Sequence, residues 1–187
     1  MKVLTFVFIC LFAFVTANGQ QAAQAKSQQD KEQSNIEKFS SRSGILFEKT
    51  NIPVGSFRGV KVQVMTIRDL INQSKTAGLR FENIVTTRIG SDTKIASLDD
   101  DELDALVKSL EIIKTDVLPS ARQNYTEIIY RSRSGFEAGC FYSGGKWSAF
   151  VKLERYDKDS YVFIEPPDLD SLLALLKQAK PILQQSK

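Results

Sequence analysis

Two groups of side chains in this sequence could do chemistry: an acidic run near the middle and a mixture of basic and aromatic residues in the second half. The acidic run comprises Asp99, Asp100, Asp101, Glu102 and Asp104. Hard cations such as calcium bind several carboxylate oxygens, but the spacing does not match the calcium-loop motif. Negative side chains in the first turn of a helix also interact favourably with the helix dipole. We therefore interpret the run as a helix start and predict no metal site.

Basic and aromatic residues interleave between residues 131 and 161. Such a mixture can bind a single nucleic-acid strand, because cations contact phosphates while rings stack on bases. Strand alternation puts Phe150 on the same face as Lys146 and Lys152, and it puts Trp147 on the opposite, core-facing side. Nearby acids dilute the positive charge, so a solvated sheet face is the alternative interpretation. The candidate binding face comprises Arg131, Arg133, Lys146, Phe150 and Lys152.

Several classes of catalytic site are excluded by composition. The chain contains no histidine, which removes Ser-His-Asp and Cys-His catalysis and every histidine metal site. Neither a G-x-S-x-G motif nor a phosphate-binding glycine loop is present. The sequence therefore predicts no catalytic residue, no cofactor and no enzymatic activity. A hydrolase that uses paired carboxylates remains an alternative. Cys140 lies in an apolar strand pattern and is predicted to be a buried, inert thiol.

Residues 1–19 have the three parts of a signal peptide: a charged start, an apolar segment from Val3 to Val15, and small residues before Gln20. The apolar segment is shorter than the roughly 20 residues that cross a bilayer. We expect cleavage before Gln20, and Ala23-Gln24-Ala25 offers a second A-x-A site. The expected product is soluble, periplasmic or secreted, and has no transmembrane segment after cleavage. The formal net charge of +3 is small and argues against nucleic acid as a partner. A protein or another component of the bacterial envelope is the expected partner.

Residues 20–43 are predicted to form a flexible polar leader. The segment is rich in Gln, Ser, Lys and Ala, and its only sizeable apolar side chains are Ile36 and Phe39. Burial of two side chains does not offset the conformational entropy of ordering so many residues. The remaining chain, residues 44–187, is predicted to form a single domain.

Within that domain, strand patterns alternate with helical ones in the same order twice. Two helices are indicated by apolar stripes with spacings of three and four. The stripes are Leu103, Leu106, Val107, Leu110 and Ile113, and Leu169, Leu172, Leu173, Leu176 and Ala179.

The ungapped shift that places Leu103 on Leu169 also places Gly78 on Gly144 and Val62 on Ile128. We call this shift the helix offset. It indicates an internal duplication, with repeats at about 58–116 and 124–182.

The predicted fold class is therefore α+β: two tandem ββββα repeats whose antiparallel sheets and two amphipathic helices share one core. A single repeat has only one helix to cover its sheet and would have a marginal core. Two repeats that share a core avoid this weakness.

Two ββββα units in tandem, from the strand at Val60–Ile67 to the helix that ends near Lys180, resemble the Whirly and PC4-like single-stranded nucleic-acid-binding fold. The resemblance lies in topology, so it transfers no binding residue. The chain, including the stretch from Tyr130 to Cys140, also resembles small exported bacterial proteins, which implies no activity. The sequence favours a non-enzymatic binding or structural module of the bacterial envelope. The alternatives are a single-stranded nucleic-acid or polyanion binding protein and the carboxylate hydrolase.

Overall fold

A computed structural model describes residues 33–88 and 90–186, so the predicted signal peptide lies outside the described residues. A short helix precedes the first sheet, and each of two sheets is followed by a longer helix. The first part of the chain contains α1 (Asn35–Ser40), β1 (Phe47–Phe57), β2 (Val60–Asp69), β3 (Lys75–Thr87), β4 (Gly90–Asp99) and α2 (Asp100–Ile112), which a π-helical turn (Ile113–Val117) extends. The second part contains β5 (Thr126–Arg131), β6 (Glu137–Ser143), β7 (Lys146–Lys152), a 3-10 turn (Lys158–Ser160), β8 (Tyr161–Ile164) and α3 (Pro166–Gln185).

The two sheets have the same simple topology. Each has four antiparallel strands in sequential order, β1-β2-β3-β4 and β5-β6-β7-β8. The predicted α+β class with two ββββα units is therefore confirmed. Among the described residues, no helix is long and apolar enough to cross a bilayer.

Both long helices begin where the sequence indicates. The Glu102 carboxylate accepts a hydrogen bond from the Asp99 amide at 3.1 Å, and the Asp168 carboxylate accepts one from the Glu165 amide at 2.8 Å. Asp99 and Glu165 are thus the N-cap residues of α2 and α3. The prolines that follow Glu165 occupy helix positions whose amide groups have no intrahelical acceptor, so their missing N–H groups cost nothing.

One hydrophobic core joins the two repeats. It contains the apolar stripes of α2 and α3 together with the inner faces of both sheets. Phe81 in β3 and Phe136, just before β6, are fully buried, and their nearly parallel rings lie 4.6 Å apart between centroids. Because each ring comes from a different repeat, this stack ties the two sheets directly to each other.

Ion pairs show how the repeats are related in space. Three pairs join the long helices: Lys114 with Asp170, Lys180 with Asp104, and Lys177 with Glu111. Under the helix offset, Lys114 corresponds to Lys180 and Asp104 to Asp170, so the first two pairs are equivalent. Glu111 corresponds to Lys177, so the third pair joins two equivalent positions. A reciprocal pattern of this kind requires antiparallel helices related by an approximate two-fold axis. The same offset also matches the buried residues Leu103, Leu106, Leu110, Ile113 and Val117 with Leu169, Leu172, Leu176, Ala179 and Leu183.

The prediction that one ungapped offset relates the whole repeats is wrong for the first three strands. Leu79 of β3 pairs with Leu98 of β4, and Ala149 of β7 pairs with Ile164 of β8. The helix offset places Leu98 on Ile164, but a larger offset is needed to place Leu79 on Ala149. The registers of the second strands, β2 and β6, require a still larger one. The reason is that the first sheet has longer hairpins. Gly78 therefore lies inside β3 rather than in a turn, and the first repeat begins at β1 rather than near residue 58.

The leader prediction is wrong for its last part. Ile36 and Phe39 of α1 are 0 % and 6 % exposed and pack on Met65 and Ile67, on the opposite face of the first sheet from α2 and α3. A side chain at Gly78 would place its Cβ 3.4 Å from Ile36 and 2.8 Å from a backbone oxygen, so glycine permits this close approach. Packing of Ile36 and Phe39 on residues that are distant in the sequence therefore orders this part of the leader.

The N-terminus of α1 is held by two sets of hydrogen bonds. Ser34 and Glu37 form a capping box, at 3.2 Å and 3.0 Å. The Asp99 carboxylate accepts from the amides of Asn35 and Ile36, at 2.7 Å and 3.2 Å. Asp99 therefore connects α1 to the start of α2.

Candidate functional site

The outer face of the second sheet, directed away from α2 and α3, carries a cluster of aromatic rings. Neighbouring ring centroids lie 5.2 to 6.4 Å apart. We call this surface the aromatic face and define it by Tyr125, Phe141, Phe150, Tyr161 and Phe163.

Strand alternation explains why these rings share one face. In β7, Ala149 and Val151 join the core, so Phe150 between them points to the other side. Ile164 of β8 also joins the core, which directs Phe163 outward. Gly139, the partner of Phe150 in β6, has no side chain, so nothing from that position competes with the ring for space.

The aromatic face forms a shallow groove with a buried floor and exposed walls. Phe150 is only 2 % exposed, whereas Tyr125, Phe163 and Tyr161 are 65 %, 55 % and 37 % exposed. The groove has a volume of about 280 Å³. Scattered exposed apolar residues are normal on protein surfaces, but contiguous apolar patches mark interaction sites.

The groove contains charges of both signs. Glu127 accepts a hydrogen bond from the Tyr125 hydroxyl, and this bond raises the pKa of Tyr125. Lys158 lines the opposite side. The Lys152 ammonium group lies 4.6 Å from the centroid of the Tyr161 ring and donates to the Arg155 carbonyl at 2.6 Å. The site therefore combines apolar stacking surface with both hydrogen-bond donors and acceptors.

A larger cavity of about 600 Å³ lies at the end of the sheet where β8 stops. It runs along β7 residues 146–149 and shares Phe163 with the groove of the aromatic face. Ser148 and Glu165 lie at its polar side, while Trp147 and Leu169 supply apolar walls. The Trp147 indole donates to the Ser120 carbonyl at 2.5 Å.

The predicted binding face is only partly assembled. Lys146, Phe150 and Lys152 lie on the outer side of the second sheet, as the alternation predicts. Phe150 is nevertheless buried beneath its aromatic neighbours, so its inclusion in the binding face as a ring that stacks on a base is wrong. Arg131 is paired with Glu137 across β5 and β6, with Nε 2.7 Å from a carboxylate oxygen.

Arg133 does not join this face and instead lies in the turn between β5 and β6, against the acidic run. Its guanidinium group binds Asp99 at 2.8 Å and Asp101 at 2.9 Å, and its amide donates to Glu102 at 2.8 Å. These carboxylates raise the pKa of Arg133 above its ordinary value. The three acids lie close enough to bind a cation, but the Arg133 guanidinium group already forms ion pairs with all of them. The interpretation of the run as a helix start is confirmed.

Cys140 is fully buried in the shared core, in agreement with the sequence-based expectation. Burial raises the pKa of its thiol from an ordinary value of 9.0 to about 11.

We expect Cys140 to be alkylated by iodoacetamide at pH 8 at least about 100-fold more slowly in the folded chain than in urea. The raised pKa alone lowers the thiolate fraction by roughly this factor, and burial blocks access further. Mass spectrometry of timed samples measures both rates. Equal rates would contradict the burial of β6.

Sequence reasoning missed three of the rings, namely Tyr125, Phe141 and Phe163. Phe141 lies within the continuous apolar stretch Gly139-Cys140-Phe141-Tyr142, where alternation gives no sign of which side faces solvent. Phe163 lies in a strand of 4 residues, which is too short to set a pattern. The one feature of the sequence that indicated an aromatic surface is the surplus of aromatic residues in the second repeat.

No protein-family model, curated protein or solved structure matches this chain.

Proposed function

We propose that the chain is an exported, non-enzymatic binding module of the bacterial envelope and that it binds its ligand on the aromatic face. The observation that carries the proposal is the contiguous set of three exposed rings around buried Phe150, on a sheet face that no described element covers. Exposure of apolar surface costs about 25 cal/mol per Å². A ligand that covers Tyr125, Tyr161 and Phe163 would recover this free energy.

The signal-peptide pattern of residues 1–19 supports export, and fractionation of tagged full-length protein tests it. The tagged chain is expected in the periplasm or the medium, starting at Gln20. Retention of the uncleaved chain in the cytoplasm would contradict this part of the proposal.

The charges of the face favour a ligand other than a polyanion. Arg131 and Arg133 are already paired with acids, and Glu127 within the groove would repel phosphate groups. Binding of single-stranded nucleic acid requires several unpaired cations along the strand and depends steeply on salt. That alternative rests on the expected resemblance in topology and on Lys146 and Lys152, which lie on the outer side of the second sheet.

Site-specific photo-cross-linking tests the proposed surface. We expect a photoreactive phenylalanine analogue at position 163 to cross-link a ligand in the native host. Ile84, in the first sheet, is the matched control position, because its exposure of 53 % nearly equals the 55 % of Phe163. The double variant Tyr125→Ala with Phe163→Ala should weaken ligand binding at least about tenfold, since exposed aromatic residues dominate binding energy.

Circular dichroism should show unchanged folding of that double variant, because both side chains are largely exposed. Equal cross-linking at positions 163 and 84 would refute the aromatic face as the binding surface.

A further inference from the structure

The two-fold relation between the repeats indicates what covers the aromatic face. We propose that this face binds a short amphipathic α-helix of a partner protein, in the position that α1 occupies on the first sheet. The inference rests on the proposed function, because it names the ligand class of the same surface.

The contacts of α1 define what a helix needs on such a sheet. Its two apolar residues, Ile36 and Phe39, are three positions apart and therefore project from one side of the helix. Both side chains pack on Met65, and Gly78 allows α1 to approach the sheet closely. The Asp99 carboxylate accepts hydrogen bonds from the first amides of α1.

The second sheet has counterparts of these three features. Met65 pairs with Gly78 in the first sheet, and at the equivalent place in the second sheet Phe141 pairs with Ser148. Asp99, which N-caps α2, corresponds to Glu165, which N-caps α3. An apolar side chain, a small residue and a carboxylate thus recur in the same relative positions.

The decisive difference is that the second sheet lacks a covering helix among residues 33–88 and 90–186. Glu165 is exposed, and so is Phe163 next to Phe141. In the first sheet Asp99 is only 3 % exposed, because α1 and Arg133 cover it. The Glu165 carboxylate is therefore available to accept amide hydrogen bonds from the first turn of an incoming helix.

The cavity beside Ser148 provides space for an apolar side chain of the partner. On the first sheet Ile36 fills the space above Gly78. On the second sheet the cavity of about 600 Å³ lies at the end of the sheet, where Ser148 and Phe163 of the outer face and the core-facing residues Trp147 and Leu169 line it. Lys146 and Lys158 flank the two ends of this surface, so acidic residues on the solvent side of the helix would be favourable.

Two displayed peptide libraries test the inference against the mature full-length chain. One library contains twelve-residue helix-forming peptides with variable apolar residues three positions apart. The other has the same composition in strand-like alternation. We expect only the helical library to yield binders, and we expect Ser148→Leu to weaken their binding at least tenfold because it blocks close approach. Ser91→Leu, at an exposed position of β4, is the matched control and should leave the affinity unchanged.

A second variant probes the carboxylate. Glu165→Gln keeps the shape of the side chain and should weaken helical binders about threefold to tenfold, while Glu127→Gln should have a smaller effect. Nuclear magnetic resonance shifts on titration with the best peptide should centre on Phe141, Ser148 and Phe163.

The outcomes separate the two proposals. Failure of the helical library to yield binders would overturn the inference. If strand-like peptides, a glycan array or an oligonucleotide bound instead, and Phe163→Ala abolished that binding, the proposed function would stand with a different ligand. If position 163 also cross-linked no more than position 84, the proposed function itself would fail.

Discussion

Phe136→Ala is expected to lower the free energy of unfolding by about 3–5 kcal/mol, the range typical of a buried aromatic residue that leaves a cavity. Phe136 is 0 % exposed and stacks on Phe81 of the other repeat. The substitution therefore removes both apolar burial and the direct contact between the two sheets. Urea denaturation followed by far-ultraviolet circular dichroism measures the change.

The control for this substitution is Phe163→Ala, which removes the same side chain from a site that is 55 % exposed. It should change the free energy of unfolding by less than about 1 kcal/mol. Equal losses for the two variants, or two separate unfolding transitions in Phe136→Ala alone, would contradict a tightly packed core shared by the repeats.

Asp99→Ala is expected to destabilise the fold by about 2–4 kcal/mol and to release α1 from the first sheet. The carboxylate accepts the amides of Asn35 and Ile36 and also binds Arg133, so its removal leaves several donors unpaired. Hydrogen exchange of these two amides should accelerate much more than exchange in α3. Calorimetry measures the decrease in the free energy of unfolding.

Asp159→Ala is the matched control, because Asp159 is an exposed acid in the 3-10 turn. It should change stability by less than about 0.5 kcal/mol. Unchanged exchange at Asn35 and Ile36 in Asp99→Ala would show that the burial of Phe39 and Ile36 alone holds α1 in place.

The order of elements and the two long helices could be predicted, because their signals are local. Leu103 and Leu169 each start an apolar stripe with helical spacing, and the acids before them act as N-caps. The helix offset is correct for the helices and the last strands, where the two repeats pack on each other. It fails in the earlier strands, because hairpins tolerate insertions that a shared helical core does not.

The position of α1 could not be predicted, because it depends on contacts with residues that are distant in the sequence. Two apolar residues are too few to indicate a packed helix, and Asp99 already has a sufficient role as the cap of α2. Met65 and Ile67 place apolar side chains on the second face of β2, which is typical of a strand covered on both sides, but they do not indicate which segment covers it.

The aromatic face was only half predictable for a related reason. Alternation correctly assigned Phe150 to the side of the sheet opposite Ala149 and Val151. Alternation does not reveal whether that side is covered, and Phe150 is covered by rings from β6 and β8. Arg133 was misplaced because its direction is set by the turn before Phe136 rather than by a strand.

The indole of Trp147 is an intrinsic fluorescence probe of the cavity at the end of the second sheet. It is the single tryptophan of the chain, and it contacts the ring of Tyr142 at 5.3 Å and the Arg122 guanidinium at 5.5 Å. It also lines the cavity that opens beside Ser148. A side chain that enters this cavity would displace water from the indole and shift its emission to shorter wavelength, so docking could be followed without any label.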